Sequence, residues 1–168
     1  VGVITGDSNV VIGKNAGLNM TSPNSNVIVG KSAAGLGVLT GDDNVVVGKD
    51  AGYDLTSGHS NVLMGKDAGA AMTTGDYNIA IGYQAADAMV GDSDSNIAIG
   101  ANALDAEASG TNNCIAIGRN SLGVQNATAG AIVNLAIGSS SGAAITTGHK
   151  NVLIGHGSGS ALADDSYN

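Results

Sequence analysis

Runs of three apolar residues recur along this chain, each opened by asparagine and closed by glycine: NVVIG at 9–13, NVIVG at 26–30, NVVVG at 44–48, NVLMG at 61–65, NIAIG at 78–82 and onward. The closing glycines are Gly13, Gly30, Gly48, Gly65, Gly82, Gly100, Gly118, Gly138 and Gly155, spaced by 17, 18, 17, 17, 18, 18, 20 and 17 residues. Four places before each stands Asn9, Asn26, Asn44, Asn61, Asn78, Asn96, Asn134 or Asn151, with Cys114 in the remaining slot. Short, mostly β-branched runs bounded by Asn and Gly predict strands. Helix is disfavoured, because each glycine costs about 1 kcal/mol in a helix interior. A fixed period filling the chain predicts stacked repeats. The fold class expected is all-β: a parallel β-solenoid of about nine coils of 17–18 residues, one repeat array over 1–168 with no internal domain boundary.

Side chains alternate across a strand, so the first and third apolar slots share one face and the second takes the other. The second slot holds Val11, Ile28, Val46, Leu63, Ala80, Ala98, Ala116, Ala136 and Leu153, apolar in every copy. Both faces are therefore expected to be buried, one inside the coil and the other against a partner chain. Lysine at Ala98 and Ala116 is expected to dissociate or misfold that assembly.

Three residues after each glycine comes a small residue: Ala16, Ala33, Ala51, Ala68, Ala85, Ala103, Ser121, Ser141 or Ser158. The column predicts a tight corner. Seven after the glycine comes Met20, Leu55, Met72, Met89, Ile145 or Leu162, suited to plug the interior. Two copies have Glu107 and Gln125 there instead, and the same two carry Leu104 and Leu122 four after the glycine. The plug is expected to move by three residues and keep the core filled. Turn chemistry such as LTGDDN and MTTGDYN closes the repeat. Nine coils at the ~4.8 Å strand spacing make a rod on the order of 40 Å long. Asn168 falls 17 residues after Asn151, as if opening another copy, and the array is expected to be cut at both ends from a longer fibre.

Composition sharpens this picture. The chain has 27 glycines, one proline and neither Phe nor Trp, so its core must be aliphatic. With 43% hydrophobic residues it is not disordered by composition. A net charge of −8 with six Lys plus Arg argues against nucleic acid, which wants a basic face. No apolar run approaches the ~20 residues of a membrane-spanning helix, so no membrane insertion is expected of this segment. One cysteine excludes an internal disulfide.

Candidate chemistry is sparse. Directly after the glycines run Lys14, Lys31, Lys49, Lys66, Tyr83 and Arg119, with Ala101, Ser139 and His156 completing the line. The six are the candidate ligand-facing residues, a stripe suited to anionic glycans or, more simply, a solvated edge. Asp50 and Asp67 are placed to pair with two of the lysines. His59 and His149 share one turn slot five coils apart, roughly 24 Å along the rod, and cannot share a metal ion. The acidic turns, GDSDSN at 91–96 above all, have carboxylates that could hold calcium but suit ordinary Asx turns better. The threonines before the turn glycines skip copies and do not form the flat array of an ice-binding face. Cys114 is expected to be a small buried filler. No catalytic residue, cofactor site or metal site is expected, because the repeating slots hold Asn, Gly, Ala and aliphatics.

The repeat Asn-x-x-Ile-Gly-x-x-Ala followed by Thr-Thr-Gly-x-x-Asn resembles phage tail-fibre repeats, and is similar to the head repeats of trimeric autotransporter adhesins. NIAIGYQAA at 78–86, with MTTGDYN at 72–78, carries the resemblance most closely. It implies a left-handed β-roll or β-helix, a homotrimer around one axis, and surface attachment. Adhesin head repeats are typically shorter, which favours the tail-fibre type. The function expected is a rigid spacer and host-attachment element, on a virion or bacterial surface, with a cell-surface glycan or protein receptor. IGKNAG, VGKDAG and IGRNSL also fit the hexapeptide of left-handed β-helix acyltransferases and related carbonic anhydrases. That hexapeptide occurs only once per coil here, and no histidine set matches those enzymes.

Overall fold

The computed structural model describes residues 6–106, 110, 112–124 and 133–168. It is all-β: nine parallel strands in chain order form one sheet, each paired with the next, winding a β-solenoid of about eight turns. The strands are β1 (Val10–Ile12), β2 (Val27–Val29), β3 (Val45–Val47), β4 (Val62–Met64), β5 (Ile79–Ile81), β6 (Ile97–Ile99), β7 (Ile115–Ile117), β8 (Leu135–Ile137) and β9 (Val152–Ile154). Each is the apolar triplet between Asn and Gly. Register is residue for residue, Val45 opposite Val62 and Val62 opposite Ile79. It survives the longest interval, where Ile115 still pairs with Leu135.

Only three residues per coil are strand, yet coil-to-coil hydrogen bonding continues through the turns. At the second residue after the glycine, the N–H groups of Asp50, Asp67 and Gln84 donate to the carbonyls of Lys31, Lys49 and Lys66. At the fourth, Gly52 and Gly69 donate the other way, to Ala68 and Ala85 in the following coil. Reversals of this kind need left-handed backbone. Asp50, Asp67, Gln84 and Asn102 sit at φ 51–59°, as do Ser60, Tyr77 and Ser95 just before the asparagines. The sequence offers Ser, Asp and Asn at most of these positions, residues that tolerate the region well.

The closing glycine is fixed by two constraints. Gly48 has φ 143°, a region that side chains rarely enter, and a Cβ there would lie 2.2 Å from the carbonyl oxygen of Gly65 in the next coil. Backbone passes over backbone at this corner without room for a methyl group.

The asparagines form a buried ladder. Asn44 Oδ1 accepts from the backbone N–H of Asn61 at 3.0 Å and from its Nδ2 at 3.1 Å. Asn61 Nδ2 also donates to the Gly75 carbonyl at 2.8 Å, tying the strand to the next turn. Asn26, Asn44, Asn61, Asn78, Asn96, Asn134 and Asn151 are all buried. At Cys114 the thiol stands in the ladder and meets the Asn134 N–H at 3.5 Å. Cys114 is indeed a buried filler.

The interior corrects the reading of the two strand faces. The second-slot residues point inward: Ile28, Val46, Leu63, Ala80, Ala116 and Ala136 are wholly inaccessible and belong to one core cluster. They pack on the corner alanines and the plugs Met20, Leu55, Met72, Met89 and Ile145. Ala98 and Ala116 are thus core positions, not partner-facing ones, and lysine there attacks the coil itself. The moving plug is as expected, since Leu104 and Leu122 are fully buried; Glu107 and Gln125 lie outside the described residues. One plug escaped the seven-residue rule. Leu39, nine after Gly30 and nine before Gly48, is fully buried; that coil places two more residues ahead of its plug than the coil of Leu55 does, and one fewer behind it.

Candidate functional site

With the second slots inside, the first and third slots look outward. Val10 and Ile12 of β1 are 46% and 59% exposed, and Val152 and Ile154 of β9 are 60% and 67% exposed. Between the ends the same slots are half-buried, except Met64 and Ile81, which are also exposed. Every one of these side chains is Val, Ile, Leu or Met. The result is an unbroken apolar strip two side chains wide along the whole sheet. At the strand spacing it is about 40 Å long and about 10 Å wide, some 400 Å². That is within the size range of the largest apolar patch on an ordinary monomer, about 300–600 Å², but here it is one continuous strip.

Beyond the glycine corner lies the cationic line. Lys14, Lys31, Lys49, Lys66 and Arg119 are all exposed, and Tyr83 is 49% exposed. The ladder between Lys31, Lys49 and Lys66 and the following coils sets them one above another. Ion pairing relieves their repulsion: Lys49 Nζ meets Asp50 Oδ2 at 2.5 Å, and Lys66 pairs with Asp67. The Asp67 hydrogen bond holds the Lys66 ammonium above its usual pKa despite some desolvation. Lys66 Nζ also sits 5.0 Å from the centroid of the Tyr83 ring, within cation–π range. Lys31 makes no ion pair among the described residues. Arg119 lies three coils beyond Lys66, past Tyr83 and Ala101 on the same line.

The acidic turns have a structural occupation that spacing did not reveal. Asp42, Asp76 and Asp94, each two residues before a ladder asparagine, accept the backbone N–H of Asn24, His59 and Asp76 in the preceding coil at 2.6, 2.8 and 2.8 Å. Asp92 accepts from the Thr74 hydroxyl at 2.7 Å. Both carboxylates of the 91–96 turn thus brace adjoining coils, and no group of three metal-ligating side chains occurs among the described residues. His59 belongs to the same brace, its Nε2 3.1 Å from Asp76 Oδ2. His149 Nδ1 lies 2.9 Å from Ser166 Oγ. The threonines serve likewise: Thr56 Oγ1 donates to the Thr73 carbonyl at 2.9 Å and Thr146 Oγ1 to Asp164 at 2.6 Å.

Sequence reasoning also passed over a depression of about 370 Å³ beside the cationic line. Lys31, Ser32, Asp50, Tyr53, Asp67 and Ala70 line it. They come from three successive coils, one, two and five residues after the glycines. The period alone could have placed these columns side by side, but not the hollow between them. Comparison of the chain with family models, with curated proteins and with solved structures finds no match.

Proposed function

We propose that this chain is a structural segment of a homotrimeric fibre, most readily a phage tail fibre, serving as rigid spacer and surface-attachment element. The observation that carries the reading is the outward apolar strip. The core of each coil is complete without it, so the strip contributes nothing to the interior and is unfavourable in water. Its ~400 Å² is about half the ~800 Å² per partner that stable interfaces bury, so the adjoining turn columns have to join the contact. Three such rods, strips turned to a common axis, cover all three apolar faces at once. The left-handed sense of the coil and the trimeric number follow the resemblance of the repeats. The residues that recur have geometric roles, and the reading assigns the chain no catalysis; histidine-dependent turnover by the purified protein would overturn that part.

Sedimentation equilibrium tests the assembly. The wild-type chain is expected at three times its own mass at micromolar concentration. Lysine at both Ile99 and Ile117, third-slot residues on the outward face, is expected to give a monomer that keeps its β-sheet circular dichroism. A stable wild-type monomer at tens of micromolar would overturn the proposal.

A further inference from the structure

We propose that the depression around Tyr53 is a carbohydrate subsite that takes one pyranose ring. This rests on the attachment reading and names the chemistry of the ligand. Three features of the hollow point that way. Tyr53 is the one tyrosine that is half-buried, whereas Tyr77, Tyr83 and Tyr167 are 65%, 49% and 71% exposed. Its column neighbours in the adjoining coils are Gly35 and Ala70, too small to cover a ring, and its side chain makes no hydrogen bond to another described residue. Tyr53 thus gives the hollow an aromatic wall that neither column neighbour supplies. A pyranose presents a face of axial C–H groups to such a wall and a rim of hydroxyls around it.

The rim supplies fixed polar partners. Asp50 and Asp67 stand in consecutive coils, one strand spacing apart, with Lys49 and Lys66 pinning their carboxylates. Carboxylates so held accept from vicinal hydroxyls without losing much side-chain freedom on binding. Ser32, in the same column one coil before Asp50, and Lys31 beside it add donors, so that both hydroxyl hydrogens and oxygens find partners. Nearly balanced charge in the hollow fits a sugar better than a phosphate or metal ion. A volume of about 370 Å³ holds one ring with part of a second. None of the lining residues lies on the outward strand face.

Saturation-transfer NMR on the purified protein tests this, with lactose, maltose and N,N′-diacetylchitobiose as probes at millimolar concentration. At least one sugar is expected to receive saturation on its ring C–H protons. Tyr53→Ala, which removes the aromatic wall, and Ala70→Leu, which fills the space, are each expected to reduce the effect at least tenfold. Tyr77→Ala, on the exposed turn column, is expected to leave it unchanged. Unchanged circular dichroism shows that a variant is folded, and either folded variant suffices. No transfer to any of the three sugars, or transfer that survives the folded variants, would overturn the subsite. Failure of the attachment reading looks different: sugar transfer that depends on Tyr53, with no binding of the trimer to any cell surface, leaves the subsite standing and removes the host-attachment role.

Discussion

A Cβ at Gly65 would sit 2.3 Å from the carbonyl oxygen of Gly82, on a backbone with φ 138°. Gly52, a few residues along, also has positive φ, but at 50°, and Ala34 and Ala86 occupy its column at φ 45° and 53°. The two glycines look alike in the repeat and differ in physical demand. Gly52→Ala is expected to cost about 1–2 kcal/mol for left-handed backbone, its Cβ coming closest to the movable end of Leu63, at 2.9 Å, and Gly65→Ala at least about 3 kcal/mol, since backbone strain and overlap with the next coil add. Urea unfolding of the two variants checks the ranking. The ladder gives a second expectation at this scale. Asn61 both donates to the Gly75 carbonyl and accepts from the Asn78 backbone at 2.9 Å, all of it buried. Asn61→Leu leaves those two groups without that partner and is expected to cost about 2–6 kcal/mol, one to three for each buried group. A loss under 1 kcal/mol in the same titration would mean that the ladder is not what holds the coils in register.

A three-residue strand has one inward side chain and two outward ones, which makes neighbouring positions opposite in consequence. Ala98→Lys places a charge in the closed interior and is expected to abolish folding, whereas Ile99→Lys leaves the coil intact and acts only on association. Circular dichroism separates them, because only the first loses the sheet signal. Corners carry another element-scale effect. Burial, then the nearby charges of Asp105 and Asp67, raise the Asp87 pKa above 3.8, and a hydrogen bond from Gln84 offsets this in part. The folded protein therefore holds this proton more tightly than the unfolded chain. Stability falls as pH rises through the window above 3.8 and stays lower at neutral pH. Asp87→Asn is expected to melt higher than wild type at pH 7, with the difference vanishing as pH approaches 3.8 from above. Melting curves at several pH values test the sign.

At the scale of the molecule, the coils share one core and one set of ladders, so stability is spread along the rod. Hydrogen bonds link neighbouring coils through the strands, the corners and the turns, with no lateral layer of helices or second sheet among the described residues. That makes a stiff object with distinct sides: an apolar strip on the strands, a charged line at the corner, and the hollow of Tyr53 beside it.

Much of this was legible in the sequence because a solenoid converts periodicity directly into geometry. Residues at equal offsets from Gly13, Gly30 and Gly48 must stack, so the strands, their register, the asparagine ladder and the displaced plugs Leu104 and Leu122 could all be read by alignment. Which strand face lies inside could not. Val45, Val46 and Val47 are identical side chains, and alternation says only that the middle one differs from its neighbours. The direction of closure is set by the left-handed residues after the glycine, whose backbone angles a string of Asp, Ser, Gln and Asn does not declare. Leu39 was missed because the stretch from glycine to plug can lengthen by two residues while the stretch behind it shortens by one, which a fixed offset of seven does not allow. The acidic turns and the Tyr53 hollow depended on contacts between coils, where an aspartate two places before an asparagine reaches the backbone of the coil beneath it. The sequence by itself determined the repeat and its stacking, because both are periodic; only the tertiary structure decided inside from outside, because that depends on which way the chain turns.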